Sequence, residues 1–248
     1  MRILLIVSII FFYMINLQAQ ETLAYGHRGA MGHAPENTIA SIKKALELGV
    51  DGIEIDVFKC KTGEIIVFHD KKINNLTNSK GYIEQKTLSE IRALKVNGKE
   101  PIPTLDEVLK YIDGTVNLNI ELKGKNTSRG VLKVMESAVK NGKWKRNQLF
   151  ISSFNWDELF AFRNLDHSYK IAVLTAKDPI KAMNTAKKLN AFAINPNYKK
   201  LNQSKIEIIQ KNGFKIMTWT VNDKIQIEKL KQSRIYGIIS DFPERIKQ

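Results

Sequence analysis

The sequence predicts an α/β fold: a single (β/α)8 TIM barrel with a small insertion after the second strand. Three observations predict it. From residue 22 onward, short β-branched or apolar runs alternate with longer amphipathic runs eight times. No long polar linker divides the chain, which favours one barrel over two domains. The length of 248 residues suits a fold that typically takes roughly 250. A doubly wound open sheet is the structural alternative. One domain is expected over residues 21–248.

Each element has its own signal. Residues 22–26 (TLAYG) read as the first strand. Residues 38–48 (TIASIKKALEL) read as the first helix, with apolar residues three and four apart and a stop at Gly49. Residues 52–58 and 65–69 are apolar, β-rich runs on either side of a turn at Cys60-Lys61-Thr62-Gly63. Helix patterns at 104–111, 129–141, 157–165, 179–189, 205–212 and 224–232 alternate with strand patterns at 116–122, 149–153, 171–175, 191–194, 215–221 and 237–240. Asn141-Gly142 and Asn212-Gly213 supply further helix stops. Residues 70–103 break the rhythm. They are polar, rich in Lys and Asn, and far too long for an ordinary βα loop. They are expected to form an insertion, with a little structure of its own, over one end of the barrel.

Residues 1–20 (MRILLIVSIIFFYMINLQAQ) are expected to be an export signal and not part of the fold. Arg2 precedes an apolar stretch over 3–15. That stretch is too short for a bilayer, which takes about 20 residues, but it fits the apolar region of a secretory signal peptide. Cleavage after Ala19 or Gln20 is expected, and with it a periplasmic or secreted protein.

Composition narrows the classes. Hydrophobic residues at 43% and charged residues at 26% exclude intrinsic disorder, collagen-like repetition and a multi-span membrane protein. There are 39 Lys+Arg against 25 Asp+Glu, a formal charge of +14. That excess alone fits nucleic acid, an anionic membrane, phosphorylated substrates or a lysine-rich surface. The basic residues are scattered over helix faces without an aromatic-interleaved strip, which argues against nucleic acid. The single cysteine, Cys60, allows no intramolecular disulfide and no zinc site built on several thiolates. It is expected to be an inert thiol.

The chemistry-bearing residues cluster at strand ends. His27-Arg28-Gly29 follows the first strand, where barrel active sites sit. His exchanges a proton near neutral pH, Arg offers a planar fork suited to phosphate, and Gly lets the backbone approach a ligand. In Ile53-Glu54-Ile55-Asp56-Val57 the two carboxylates share one face of a strand. Two buried carboxylates need compensation, from a hard divalent cation or from an Arg or Lys on a neighbouring strand. Phe68-His69-Asp70 brings a second histidine to a loop mouth, completing a pair able to remove one proton and deliver another. Asn119, Glu121 and Lys123 share a face of a later strand, offering a third oxygen ligand and a cation for phosphate. Trp219, at the end of the seventh strand, serves either as an apolar substrate wall or as core. His33 and His167 match no catalytic pattern.

Together these stretches resemble the glycerophosphodiester phosphodiesterase family. The likeness is carried by HRG at 27–29, APENT at 34–38, GIEIDV at 52–57, VFHD at 67–70, IELK at 120–123, TWTVN at 218–222 and GIISDFP at 237–243, in family order. It departs at Cys60-Lys61-Thr62-Gly63 and at Leu76-Thr77. The resemblance implies a TIM barrel and hydrolysis of glycerophosphodiesters to sn-glycerol 3-phosphate and an alcohol. It implies a divalent ion, Ca²⁺ or Mg²⁺, on Glu54, Asp56 and Glu121, and His27 and His69 as the acid–base pair. Arg28 and Lys123 would meet the phosphate; Trp219 is expected beside the substrate from its own place at the end of the seventh strand. The alternative is a related barrel phospholipase of the D type, acting on lysophospholipids or sphingomyelin. The basic surface adds an expected peripheral contact with anionic membrane.

Overall fold

The computed structural model describes residues 21–248; the export signal expected over residues 1–20 lies outside the described residues. Strands are numbered in chain order. Eight of them run parallel and close into a barrel: β1 (Leu23–His27), β2 (Gly52–Lys59), β6 (Asn117–Leu122), β7 (Leu149–Ser153), β8 (Lys170–Thr175), β9 (Ala193–Pro196), β10 (Lys215–Thr218) and β11 (Gly237–Ser240). They pair in that order, and β11 returns to β1. Between them run α1 (Ile39–Glu47), α3 (Leu105–Ile112), α4 (Ser128–Lys140), α5 (Trp156–Leu165), α6 (Pro179–Lys188), α7 (Gln203–Lys211) and α8 (Lys224–Gln232). The predicted elements are all present, with ends shifted by a few residues. Thr38 and Thr104 lie just outside their helices as N-caps, because each hydroxyl accepts from the backbone N–H three residues on. Among the described residues no helix is long and apolar enough to cross a membrane.

Two apolar layers hold the barrel. The outer one lies between sheet and helices, where Ile53, Ile55 and Val57 of β2 meet helix residues such as Ile42, Ala45 and Val108. The inner one fills the barrel axis with Tyr25, Phe150, Ala172, Ala193, Met217 and Ile239. Tyr25 needs Gly52 beside it: a Cβ there would lie 2.2 Å from the Tyr25 ring.

The insertion has its own small core. β3 (Ile65–Val67) runs antiparallel to β2. The segment beyond it carries α2 (Leu88–Arg92) and a short hairpin of β4 (Lys95–Val96) and β5 (Glu100–Pro101). Phe58, Ile66, Phe68, Ile73, Ile83, Ile91 and Ile102 bury together there, with Cys60 among them. Cys60 is therefore a packed thiol. Its Sγ lies 3.2 Å from the Glu64 carboxylate.

Register fixes which side chains share the barrel mouth. His27 lies beside Glu54, Glu54 beside Asn119, Asp56 beside Glu121, and Glu121 beside Ser152. In-register side chains on neighbouring parallel strands face the same way, with the strands about 4.8 Å apart.

Candidate active site

A cavity of about 110 Å³ opens at the C-terminal ends of the strands. Seven of the eight sequence-predicted site residues line it: His27, Arg28, Glu54, His69, Glu121, Lys123 and Trp219. Asp56 sits just behind, almost fully buried.

Glu54, Asp56 and Glu121 each present a carboxylate oxygen, all within 4.8 Å of one another. Crowding them out of water sets their protonation. Burial, then repulsion from Asp56 and Glu121, raises the Glu54 carboxyl well above the usual range. Burial and the charge of Asp56 push Glu121 up to about 7. Burial acts the same way on Asp56, but Lys123 and Arg28 outweigh it and hold Asp56 below its ordinary value.

The basic residues serve these carboxylates. The Arg28 guanidinium lies 2.7 Å from Glu36 and 3.3 Å from Asp56. Lys123 Nζ lies 2.9 Å from Glu121 and 3.6 Å from Asp56. Of the two compensations open in the sequence, neighbouring cations are thus present for Asp56 and Glu121. They do not suffice for Glu54, whose hydrogen bond comes from the Arg28 backbone N–H at 3.1 Å. Three buried oxygen ligands with a residual cation deficit are a fitting donor set for a hard divalent ion.

Each histidine is anchored through Nδ1. His27 Nδ1 lies 2.6 Å from Asp241 Oδ1. Asn222 donates to the other Asp241 oxygen at 2.6 Å and accepts from the Asp241 backbone N–H at 2.9 Å. Burial alone would raise Asp241, but the hydrogen bonds from His27 and Asn222 outweigh it and hold it below its usual range. An ionised Asp241 accepts only, so Nδ1 is the donor and Nε2 is the nitrogen left for chemistry. His69 Nδ1 lies 2.7 Å from Asp70 Oδ1 in the same arrangement.

The loop after β1 is shaped to aim these groups. Arg28 and Asn37 take left-handed backbone angles, φ 50° and 56°, which are uncommon outside glycine and recur at functional sites. From that turn the Asn37 amide donates to Asp56 at 2.9 Å and its oxygen accepts from the Asp56 N–H at 3.2 Å. Gly29 is also needed for packing: with φ 85°, a Cβ there would sit 2.4 Å from Ser41 Oγ at the start of α1.

The opposite wall is apolar. The Trp219 ring meets Phe154 edge to face, with centroids 5.3 Å apart, and its Nε1–H donates to the Asn195 carbonyl at 2.8 Å. Lys123 Nζ lies 5.9 Å from the Phe154 ring centre. His33 pairs with Glu244 at 3.2 Å outside the cavity lining, and His167 is exposed.

Sequence reasoning missed Glu36, Asn37, Phe154, Asn222 and Asp241 as site residues. A signal for Asp241 existed. Alternation along 237–241 puts it on the inward face with Ile239, as alternation puts Glu54 and Asp56 inward. Asn222 left no such trace, because it lies past the end of β10.

Known proteins share this arrangement of chain. A profile of the glycerophosphoryl diester phosphodiesterase family matches residues 27–245. A glycerophosphodiester phosphodiesterase of Caldanaerobacter subterraneus is 35% identical over 235 residues, covering 91% of this chain and 96% of that one. One from Bacillus altitudinis is 30% identical over 236 residues, covering 90% and 96%. Among solved structures, an Oleispira antarctica phosphodiesterase in complex with the product sn-glycerol-3-phosphate superposes with a TM-score of 0.84. It is 26% identical, with 92% of this chain and 96% of that chain covered.

Proposed function

The chain belongs to the glycerophosphoryl diester phosphodiesterase family, and from that membership we propose that it hydrolyses glycerophosphodiesters to sn-glycerol 3-phosphate and an alcohol. His27 and His69 act as the acid–base pair, and Glu54, Asp56 and Glu121 hold one divalent ion, Ca²⁺ or Mg²⁺. The observation that carries the reading is two carboxylate-anchored histidines lining one cavity with a crowded carboxylate cluster.

The roles follow from charge. A phosphodiester is anionic and resists attack by an oxygen nucleophile. A divalent ion, when bound, neutralises charge growing on the non-bridging oxygens. Arg28 and Lys123 line the same cavity and add fixed positive charge for the phosphate. One histidine Nε2 takes the proton of the attacking hydroxyl, and the other protonates the departing alkoxide. Asp241 and Asp70 hold each ring in the tautomer that leaves Nε2 free. Trp219, with Phe154, forms a wall that excludes water from one side of the substrate.

A substrate screen tests the reading. Glycerophosphocholine, glycerophosphoethanolamine and glycerophosphoglycerol are expected to release sn-glycerol 3-phosphate. Turnover of lysophosphatidylcholine or sphingomyelin micelles, with none of these, would point instead to the barrel phospholipase.

Two further parts of the proposal concern location. Residues 1–20 support export. A chain recovered from the cell envelope or medium is expected to begin at Gln20 or Glu21, and a start at Met1 contradicts this. The insertion supports contact with an anionic membrane. Lys71, Lys72 and Lys80 are exposed there, and Lys71 and Lys72 flank the Tyr82 ring at 5.8 and 5.6 Å. Each such lysine near an anionic surface contributes about 1 kcal/mol. Co-sedimentation with phosphatidylglycerol vesicles, and not with pure phosphatidylcholine vesicles, is the expected result.

A further inference from the structure

Beside the carboxylates two buried barrel positions, Asn119 and Ser152, are polar where barrels usually place Val, Ile and Leu. Both amide atoms of Asn119 and the hydroxyl of Ser152 are buried and have no hydrogen-bond partner among the described residues. Asn119 is 1% exposed and Ser152 0%. An unsatisfied buried polar group destabilises a fold, so apolar residues here would serve the bare fold better.

Their positions carry the explanation. Asn119 is the in-register neighbour of Glu54, and it lines the same cavity. Ser152 is the in-register neighbour of Glu121. Each unpartnered group thus stands beside one carboxylate of the crowded cluster. A carboxylate that gives one oxygen to a cation needs a donor for the other. Such outer partners orient ligands and raise affinity.

We propose that Asn119 and Ser152 are positioning residues for the cation site. Their N–H and O–H groups serve the carboxylates of Glu54 and Glu121 through one bridging water each. The proposal rests on the reading of Glu54, Asp56 and Glu121 as cation ligands, and goes beyond it in assigning the residues beside them.

Asn119→Leu tests this because the two roles move in opposite directions. The substitution removes an unpartnered amide, so the melting temperature in EDTA is expected to stay level or rise. Affinity for Ca²⁺ and Mg²⁺, measured by titration calorimetry without substrate, is expected to fall about 10–100-fold. Asn119→Ser, which keeps a donor, is expected to retain part of that affinity; it also serves if the leucine variant fails to fold. Wild-type affinity in the leucine variant, or in Asn119→Ala in its place, overturns the proposal. A wild-type protein that binds neither cation overturns the underlying ligand assignment as well, and the inference falls with it.

Discussion

His27 takes its carboxylate partner from Asp241, 214 residues away in the chain, whereas His69 takes its partner from the next residue, Asp70. The bonds are alike in length, 2.6 and 2.7 Å, but their surroundings differ. Closure of the barrel brings β11 against β1, and Asn222 fixes the second oxygen of Asp241. The Asp70 side chain is 31% exposed against 20% for Asp241. Among the described residues its second oxygen has a single, long 3.5 Å contact, with Asn75. One corner is built by the fold and the other by local sequence. Charge-assisted hydrogen bonds gain strength as water is excluded, so the corners should respond differently to the same change.

The largest expected effect is common to both. His27→Ala and His69→Ala should each lower turnover about 10²–10⁴-fold while cation binding persists. Near-wild-type turnover in either variant removes that histidine from the pair. The carboxylates then separate the corners. Asp241→Asn loses a charge-assisted hydrogen bond worth about 1.5–3 kcal/mol, so kcat should fall about 10–10²-fold. Asp70→Asn removes a more exposed pair worth up to about 1 kcal/mol, a loss of about fivefold or less. Equal losses at the two positions would break the contrast.

Between the corners lies Glu121, raised by burial and by Asp56 to about 7 from the usual 4.5. Across that window the folded protein holds a proton that the unfolded chain has released. The stability of the cation-free protein should therefore fall as pH rises through it. Cation binding requires the ionised carboxylate, so affinity should move the other way and weaken as pH drops below about 7. Thermal unfolding in EDTA and calorimetric titration at pH 5.5 and 8 measure both slopes. Glu121→Gln should flatten the stability slope.

What could be read from the sequence follows the same division. Alternation placed Glu54 and Asp56 on one face of β2, and Asn119, Glu121 and Lys123 on one face of β6, because strand geometry is local. The His69-Asp70 contact needs only adjacency. The Asp241–Asn222 support of His27 joins the ends of β10 and β11 to β1, and it exists only once eight strands have closed with a particular register. The turn through Arg28 and Asn37 was equally hidden, since left-handed angles at non-glycine residues are imposed by the structure around them. The insertion was visible as an interruption. Its own core was not, because Ile73, Ile83, Ile91 and Ile102 follow no single period.

The most direct measurement is release of sn-glycerol 3-phosphate from glycerophosphocholine by protein dialysed against EDTA, before and after adding back Ca²⁺ or Mg²⁺. Loss of activity on dialysis and its return with one of the two ions is the expected result. Full activity after exhaustive EDTA dialysis would contradict the cation site at Glu54, Asp56 and Glu121, and with it the proposed mechanism.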